Sequence, residues 1–321
     1  MKRFFQTVIV LVTIHTIAFA QQDAEYSMYM FNGLYLNPAY AGSHELISMS
    51  GIYRHQWSGI EGAPRSASFG IHTPFRKEQH AVGLLLTNDR LGVTNMYSVN
   101  GSYAFRAKIN NTTKLSLGVS LGFTQYLSDL TELVLPTDNL DPTFAVDRSL
   151  FMPNMGFGAY LFSNVYYVGF SVPHLINNSM NEKLEFEATD AVARQYKHYM
   201  ATAGYVFGPE DAKLRFKPSI LMKYVKNAPI DFDLNASLLI DSRYWVGLSY
   251  RTGGNAEGKS GDAIVGIFEF KATSALRLGY AYDYTISDLG AYNTGTHEIM
   301  VGFDFGFEKE RFVSPRYVKY F

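Results

Sequence analysis

The feature that most constrains the fold of this chain is a strict alternation of apolar and small residues. From 115 to 123, every odd position is apolar and every even position is Gly or Ser. Successive side chains of a β-strand point to opposite faces, so this segment predicts a strand with one apolar and one small, polar face. Such a strand suits a transmembrane barrel, whose outer face meets lipid and whose inner face lines the lumen. The apolar positions are Leu115, Leu117, Val119, Leu121 and Phe123.

The same period of two recurs along the chain and predicts an all-β fold of about 14 antiparallel strands, an even number that suits a closed barrel. The predicted connections are short at one rim and mostly longer at the other, which is typical of outer-membrane barrels with short periplasmic turns and longer extracellular loops. The sequence therefore predicts a transmembrane outer-membrane β-barrel. The predicted strands lie near 46–53, 65–73, 80–87, 95–107, 113–127, 153–162, 165–172, 198–207, 213–224, 230–240, 243–251, 262–270, 273–284 and 296–307.

A soluble β-barrel of the lipocalin type is the alternative fold. It would turn its apolar side chains inward and its polar side chains to water. In this chain the polar face is rich in Gly, Ser and Thr, and aromatic residues gather toward strand ends, as Tyr103 and Phe105 do. Aromatic girdles at the two interfaces are typical of transmembrane barrels, which favours the membrane fold.

The first residues have the pattern of an export signal. Lys2 and Arg3 precede an uncharged apolar run, which ends in small residues at Ala18 and Ala20. This arrangement predicts cleavage after residue 20. We therefore expect a signal peptide at 1–20, an N-terminal periplasmic or plug segment at 21–45, the barrel at 46–307 and a periplasmic C-terminal tail at 308–321.

Composition and motif context argue against enzymatic chemistry. The chain has no cysteine and a net charge of -1, which removes thiol chemistry and gives no electrostatic basis for nucleic-acid binding. Residues 253–260 match the phosphate-binding pattern G-x-x-x-x-G-K-S, but a predicted strand rather than a helix follows them. Ser120 lies in a G-x-S-x-G pattern, but in mid-strand. The histidines lack metal-ligand spacing, so the sequence predicts no catalytic residue, no cofactor and no metal.

Several charged residues fall on the predicted inner face of the barrel. Their signs are mixed, which favours a lumen packed by ion pairs over a permeation path. We expect Arg215, Lys217 and Lys223 on one strand to face Asp231 and Asp233 on the next. Further inward charges near the barrel closure are Arg277, Asp283, Glu298 and Asp304.

The segment from 26 to 43 precedes the first strand and is too apolar to remain in water, since exposed apolar surface costs about 25 cal/mol per Å². It must be buried at the periplasmic rim, either in the mouth of the barrel as a plug or against a neighbouring protein. Proline at 38 predicts an extended residue at 37. The candidate plug or partner-binding residues are Tyr29, Phe31, Leu36, Asn37, Pro38 and Tyr40.

This opening segment resembles the PorP/SprF family of type IX secretion outer-membrane proteins. The similar residues are Gln-Gln-Asp at 21–23, Tyr-Ser-Met-Tyr-Met-Phe-Asn at 26–32 and Leu-Asn-Pro-Ala-Tyr-Ala-Gly-Ser at 36–43. Weaker matches follow at 53–57, 62–64, 172–175, 279–284, 295–300 and 314–317.

The resemblance implies a non-enzymatic barrel in the outer membrane of a Bacteroidota-type cell. It would support secretion or surface attachment of large adhesins, including those of gliding motility. The implied partners are outer-membrane lipid, periplasmic ring and motor components of the type IX system, and a secreted adhesin with a C-terminal sorting domain. The alternative function is a porin or small-solute channel, which would have an open lumen.

Overall fold

The fold is that of a closed antiparallel barrel of fourteen strands, in which each strand pairs with its sequence neighbours and β1 closes on β14. The structure, a computed structural model, describes residues 24–44, 46–75, 78–132, 146–176, 178, 197–209, 211–226, 228–253 and 261–305. The predicted fold class is confirmed. The strands are β1 (Ile47–His55), β2 (Arg65–Phe75), β3 (His80–Leu91), β4 (Thr94–Lys108), β5 (Lys114–Ser128), β6 (Arg148–Phe162), β7 (Tyr166–Val172), β8 (His198–Tyr205), β9 (Leu214–Val225), β10 (Asp231–Ile240), β11 (Tyr244–Arg251), β12 (Ala263–Lys271), β13 (Leu276–Thr285) and β14 (Thr296–Phe305).

The alternation in β5 has the predicted orientation. Val119 and Leu121 are 49% and 66% exposed, whereas Ser116 and Ser120 are buried. The apolar side chains therefore face lipid and the small ones face the lumen. Ser120 lies in the middle of this strand, which is not the strand-to-helix turn of a catalytic serine.

The barrel wall is uneven in height. Strands β3 to β6 have 12 to 15 residues and form what we call the tall wall. Strands β10 to β14 and β1 have 8 to 10 residues and form the short wall. The tall wall rises at the rim where β3 and β4 join through Gly92 and Val93.

The two rims differ in their connections. Turns such as 109–113, 163–165 and 241–243 lie at one rim, which we call the inner rim. Longer connections such as 56–64, 129–147 and 173–197 lie at the other, the outer rim. Short turns are periplasmic and longer loops are extracellular in outer-membrane barrels. No helix in the described ranges is long and apolar enough to span a membrane.

Residues 24–44, which we call the N-terminal segment, precede β1. Three short helical turns, Tyr29–Phe31, Gly33–Leu36 and Pro38–Tyr40, make up its middle. Met28, Ala39 and Ala41 are completely buried, and the segment shares one hydrophobic core with lumen-facing residues of the strands. The segment thus lies inside the barrel.

Candidate functional site

The outer end of the N-terminal segment is fixed by buried carboxylates. The backbone N–H groups of Ser27 and Met28 donate to the two oxygens of Glu298, at 2.9 and 2.7 Å. The Ser27 hydroxyl donates to Asp283 at 2.7 Å, and Arg54 bridges Asp283 and Glu298 at 2.8 and 3.0 Å. All of these groups are buried. Since Arg54 lies next to the last residue of β1 and Glu298 is the third residue of β14, the network lies near the outer rim.

A second group of charges extends this network along the outer rim. Arg251 contacts Asp233 at 3.1 Å and Glu25 at 3.5 Å, and Lys223 bridges Glu25 and Asp231 at 2.6 and 2.8 Å. Burial alone would raise the pKa of the Glu25 carboxyl, but the charges of Lys223 and Arg251 outweigh it and hold the pKa at about 2. Glu25 is therefore ionised at neutral pH. We call this network and the preceding one the outer anchor.

The middle of the segment is fixed through Asn37. Its side-chain oxygen accepts from the Ala39 backbone at 2.9 Å, while its amide donates to the carbonyls of Ala159 in β6 and Phe170 in β7 at 3.0 and 3.3 Å. The backbone of Asn37 is extended (φ -148°, ψ 117°), as predicted for a residue before proline. Pro38 then starts a short helical turn. One side chain thus shapes the segment and ties it to two strands.

Glycines in the wall let the segment approach closely. A Cβ at Gly118 of β5 would overlap the backbone of Pro38 and Ala39. A Cβ at Gly279 of β13 would overlap the Met28 side chain. Glycine is used where two parts of a chain come closer than a side chain allows, so these positions fit the wall to the segment.

The inner end of the segment is fixed near the short turns, in what we call the inner anchor. Gly42 has φ of 72°, which glycine adopts without strain. Its carbonyl accepts from Arg106, and its N–H donates to His72 at 3.2 Å. His44 lies 3.3 Å from Asp304 near the inner end of β14. Because the outer anchor lies at the opposite rim, the segment crosses the whole lumen, whereas we expected it at the periplasmic rim alone.

The candidate residues all lie in this lumen core. Tyr29, Phe31, Leu36 and Tyr40 are each at most 7% exposed. The Tyr40 hydroxyl is 2.9 Å from His44, and its ring packs edge-on against Tyr160 of β6 at 5.6 Å. The structure thus places the aromatic and aliphatic candidates against the wall rather than at a rim surface.

Buried charges of the described strands differ between the two ends of the lumen. Toward the inner rim are four cations, Arg106, Arg215, Lys217 and Arg277, and one anion, Glu269. Toward the outer rim are two cations, Arg54 and Arg251, and four anions, Asp231, Asp233, Asp283 and Glu298. The lumen is therefore positive toward the periplasm and negative toward the cell surface.

The register of β9 and β10 contradicts part of the charge pairing that the sequence predicts. Lys223 lies opposite Asp231 as predicted, but Lys217 lies opposite Ser237 and Arg215 opposite Leu239. The prediction was wrong because β9 and β10 join at the outer rim and are long enough to carry the two cations to the inner rim.

The anchoring residues Ser27, Arg54, Arg106 and Arg251 were not predicted as site residues. The three arginines do carry a signal, because each is a cation at an inward position in a strand of mostly uncharged residues. A buried cation requires an anion or a carbonyl partner.

The structure does not test the stretch that matches the phosphate-binding pattern, since 254–260 lie outside the described residues. No group of three or more acidic residues or histidines in the described ranges is arranged to hold a metal ion.

Comparison with solved structures places the chain among outer-membrane barrels by fold. The CymD monoaromatic hydrocarbon channel is similar over 85% of this chain and 92% of its own, with 10% identity and a TM-score of 0.52. A FadL homologue from Pseudomonas aeruginosa is similar over 90% and 96%, with 11% identity and a TM-score of 0.49. The comparison with curated proteins found no match.

The match to a family model covers nearly the whole chain. Residues 18–303 match the type IX secretion system membrane protein PorP/SprF, a range that includes the N-terminal segment and almost all of the fourteen strands. A closed barrel with a lipid-facing apolar surface also has the form of an outer-membrane protein. The chain therefore belongs to the PorP/SprF family and is an outer-membrane component of the type IX secretion system.

Proposed function

We propose that this barrel supports the secretion or cell-surface attachment of large adhesins, of the kind used in gliding motility, and docks at its inner rim to periplasmic ring and motor components. In this role the chain performs no enzymatic reaction. It holds partners on the two sides of the membrane. The adhesin would be recognised outside through its C-terminal sorting domain.

The observation that carries this proposal is the filled lumen. The N-terminal segment is held at the outer anchor through Glu298 and at the inner anchor through Arg106. A barrel closed in this way offers its rims and loops for binding rather than a path for an adhesin. In this arrangement the adhesin passes beside the barrel rather than through it.

The N-terminal segment acts as a plug in this proposal. Tyr29, Phe31, Leu36, Asn37, Pro38 and Tyr40 supply its packing against the wall. Docking of the same surface on a periplasmic protein is less favourable, because the apolar side chains that such docking needs are already buried in the barrel.

Crosslinking can test which partner lies at which rim, since the chain contains no cysteine. Asn111→Cys places one thiol in an exposed inner turn, and Glu61→Cys places one in an exposed outer loop. With a photoactivatable thiol reagent in living cells, we expect Asn111→Cys to capture type IX ring components, and Glu61→Cys to capture adhesin. Val119→Cys, on the lipid face, is the matched control. Capture of ring components from Glu61→Cys but not from Asn111→Cys would contradict the proposed orientation.

Deletion of the gene tests the role itself. We expect loss of adhesin from the cell surface, with other outer-membrane proteins unchanged, and recovery on return of the wild-type gene. The small-solute channel is tested in planar bilayers, where the purified wild-type barrel should be silent. Normal adhesin display in the deletion strain together with steady conductance would favour the channel.

A further inference from the structure

A cavity of about 200 Å³ lies between the N-terminal segment and the tall wall. Its floor is formed by Leu34, Tyr35 and Pro38 of the segment. Its walls rise along β3, β4 and β5 toward Leu91, which is 58% exposed at the outer rim. The cavity therefore faces the cell surface and ends on the segment, and the proposed function makes no use of it.

Most of the lining surface is apolar. Leu85 and Met200 are buried beside the segment, and Met152 packs with Tyr126 higher on the walls, near Met96. The volume exceeds the roughly 150 Å³ of an apolar protein cavity that accepts benzene. Methionine sulfurs make favourable contacts with aromatic rings, worth about 0.3–1.5 kcal/mol each. The lining thus fits a single aromatic ring.

The cavity has a polar side along β4 and β5, and His174 and His198 add polar groups elsewhere in its lining. Hydroxyl and amide groups of β4 and β5 form a row there, and Ser98 and Thr124 lie 2.7 Å apart within it. Oxygen atoms of this row, together with the Asp89 carboxylate above it, can accept a hydrogen bond from a ligand. A carboxylate in the lining also disfavours an anionic ligand. The polar residues of the row are Ser98, Asn100, Ser102, Ser120 and Thr124.

We propose that this cavity is a binding site, entered from the cell surface, for a small neutral or cationic aromatic molecule that carries a hydrogen-bond donor. The ring lies against the methionines and Leu34, and the donor points to the row of oxygens. Because the floor belongs to the N-terminal segment, a bound molecule touches the segment directly.

Methyl NMR of the full-length barrel in lipid nanodiscs tests the site, with methionines labelled at the methyl carbon and indole, tyramine and benzoate as probes. We expect saturable shifts of Met152 and Met200 with indole and tyramine, and none with benzoate. Met300, buried in the short wall, and Met155, on the lipid face, serve as internal controls.

A variant that fills the cavity tests whether indole binds there. Thr124→Trp should weaken indole binding at least tenfold, whereas Phe123→Trp, on the lipid face of the same strand, should leave it unchanged. If Met155 shifts as much as Met152 in the wild-type protein, indole is dissolving in the bilayer and the proposal is wrong. Equal binding of benzoate, or an absence of shifts at millimolar indole, would also overturn it.

Discussion

The short and tall walls hold the same N-terminal segment by different means. The short wall meets it mainly with buried charges, since Glu298 and Asp283 bind the backbone and hydroxyl of Ser27. The tall wall meets it mainly with close backbone packing at Gly118 and leaves a cavity above, while its charged contact, from Arg106 to the Gly42 carbonyl, lies at the inner end. Charged contacts fix direction and position, whereas close packing fixes shape. The short wall therefore fixes the outer end of the segment, whereas the tall wall mainly accommodates its shape.

The difference in stability between changes on the short wall and changes on the tall wall is expected to be largest when a buried charge is removed. Arg54→Met leaves the buried Glu298 carboxylate without its cation and Asp283 with the more distant Arg251, which we expect to cost about 3–5 kcal/mol of unfolding free energy. Urea unfolding in micelles measures this. The matched change on the tall wall is Ser98→Ala, which removes a hydroxyl bonded to Thr124 and should cost about 0.5–1.5 kcal/mol. Equal losses would abolish the distinction between the walls.

The lipid faces of the two walls should respond alike. Val119→Arg on the tall wall and Val301→Arg on the short wall each place a charge on the lipid face in mid-strand, at a cost of about 2–4 kcal/mol. Unfolding in lipid vesicles gives the comparison. A similar loss of unfolding free energy at both sites would show that the two walls differ only on their lumen faces. If arginine is tolerated as well at Val119 as at Ser120, the assignment of faces fails.

Packing on the tall wall is tested by Gly118→Val. The new side chain overlaps the backbone of Pro38 and Ala39, so the segment must move, at a cost of about 1–3 kcal/mol. We expect pore openings in planar bilayers that the wild-type protein lacks. Gly101→Val is the control, because the nearest atom to a Cβ there is 3.8 Å away. Closed Gly118→Val barrels would mean that the segment does not seal the lumen.

The smallest expected effect is that of low pH on the outer anchor. The pKa of Glu25 is lowered to about 2. The stability that its ionised carboxylate gives to the folded state is therefore complete above the ordinary pKa of 4.5 and is lost as the pH falls toward 2. A spin label on Ala24→Cys should stay immobile between pH 7 and 5 and gain mobility below pH 4. Lys223→Gln should move this transition to higher pH. Release of the label between pH 7 and 5 would exclude Glu25 as its cause.

Much of the barrel could be predicted because lipid imposes a simple rule on the strands. All fourteen strands were found where apolar residues alternate with small or polar ones. The rule fails toward the outer rim, where β3 and β6 continue beyond their predicted ends at 87 and 153. There the outward positions include polar Asn88 and Arg90, which no longer contrast with the lumen face.

The site was less predictable than the fold. The apolar character of the N-terminal segment required burial, and Asn37 and Pro38 predicted its local geometry. Its path through the lumen depends on pairs such as Ser27 with Glu298, which are separated by 271 positions in the chain. Contacts of such separation leave no local pattern, so the anchors emerge only from the folded barrel.

The separation of buried charge along the lumen has an electrical consequence. Arg215 and Lys217 near the inner rim, and Asp233 and Asp283 near the outer rim, form a fixed dipole across the membrane. An anion is repelled at the outer end and a cation at the inner end, so neither passes the full length without opposition. A barrel opened by displacement of its segment would therefore rectify, carrying unequal currents when the sign of the applied voltage is reversed.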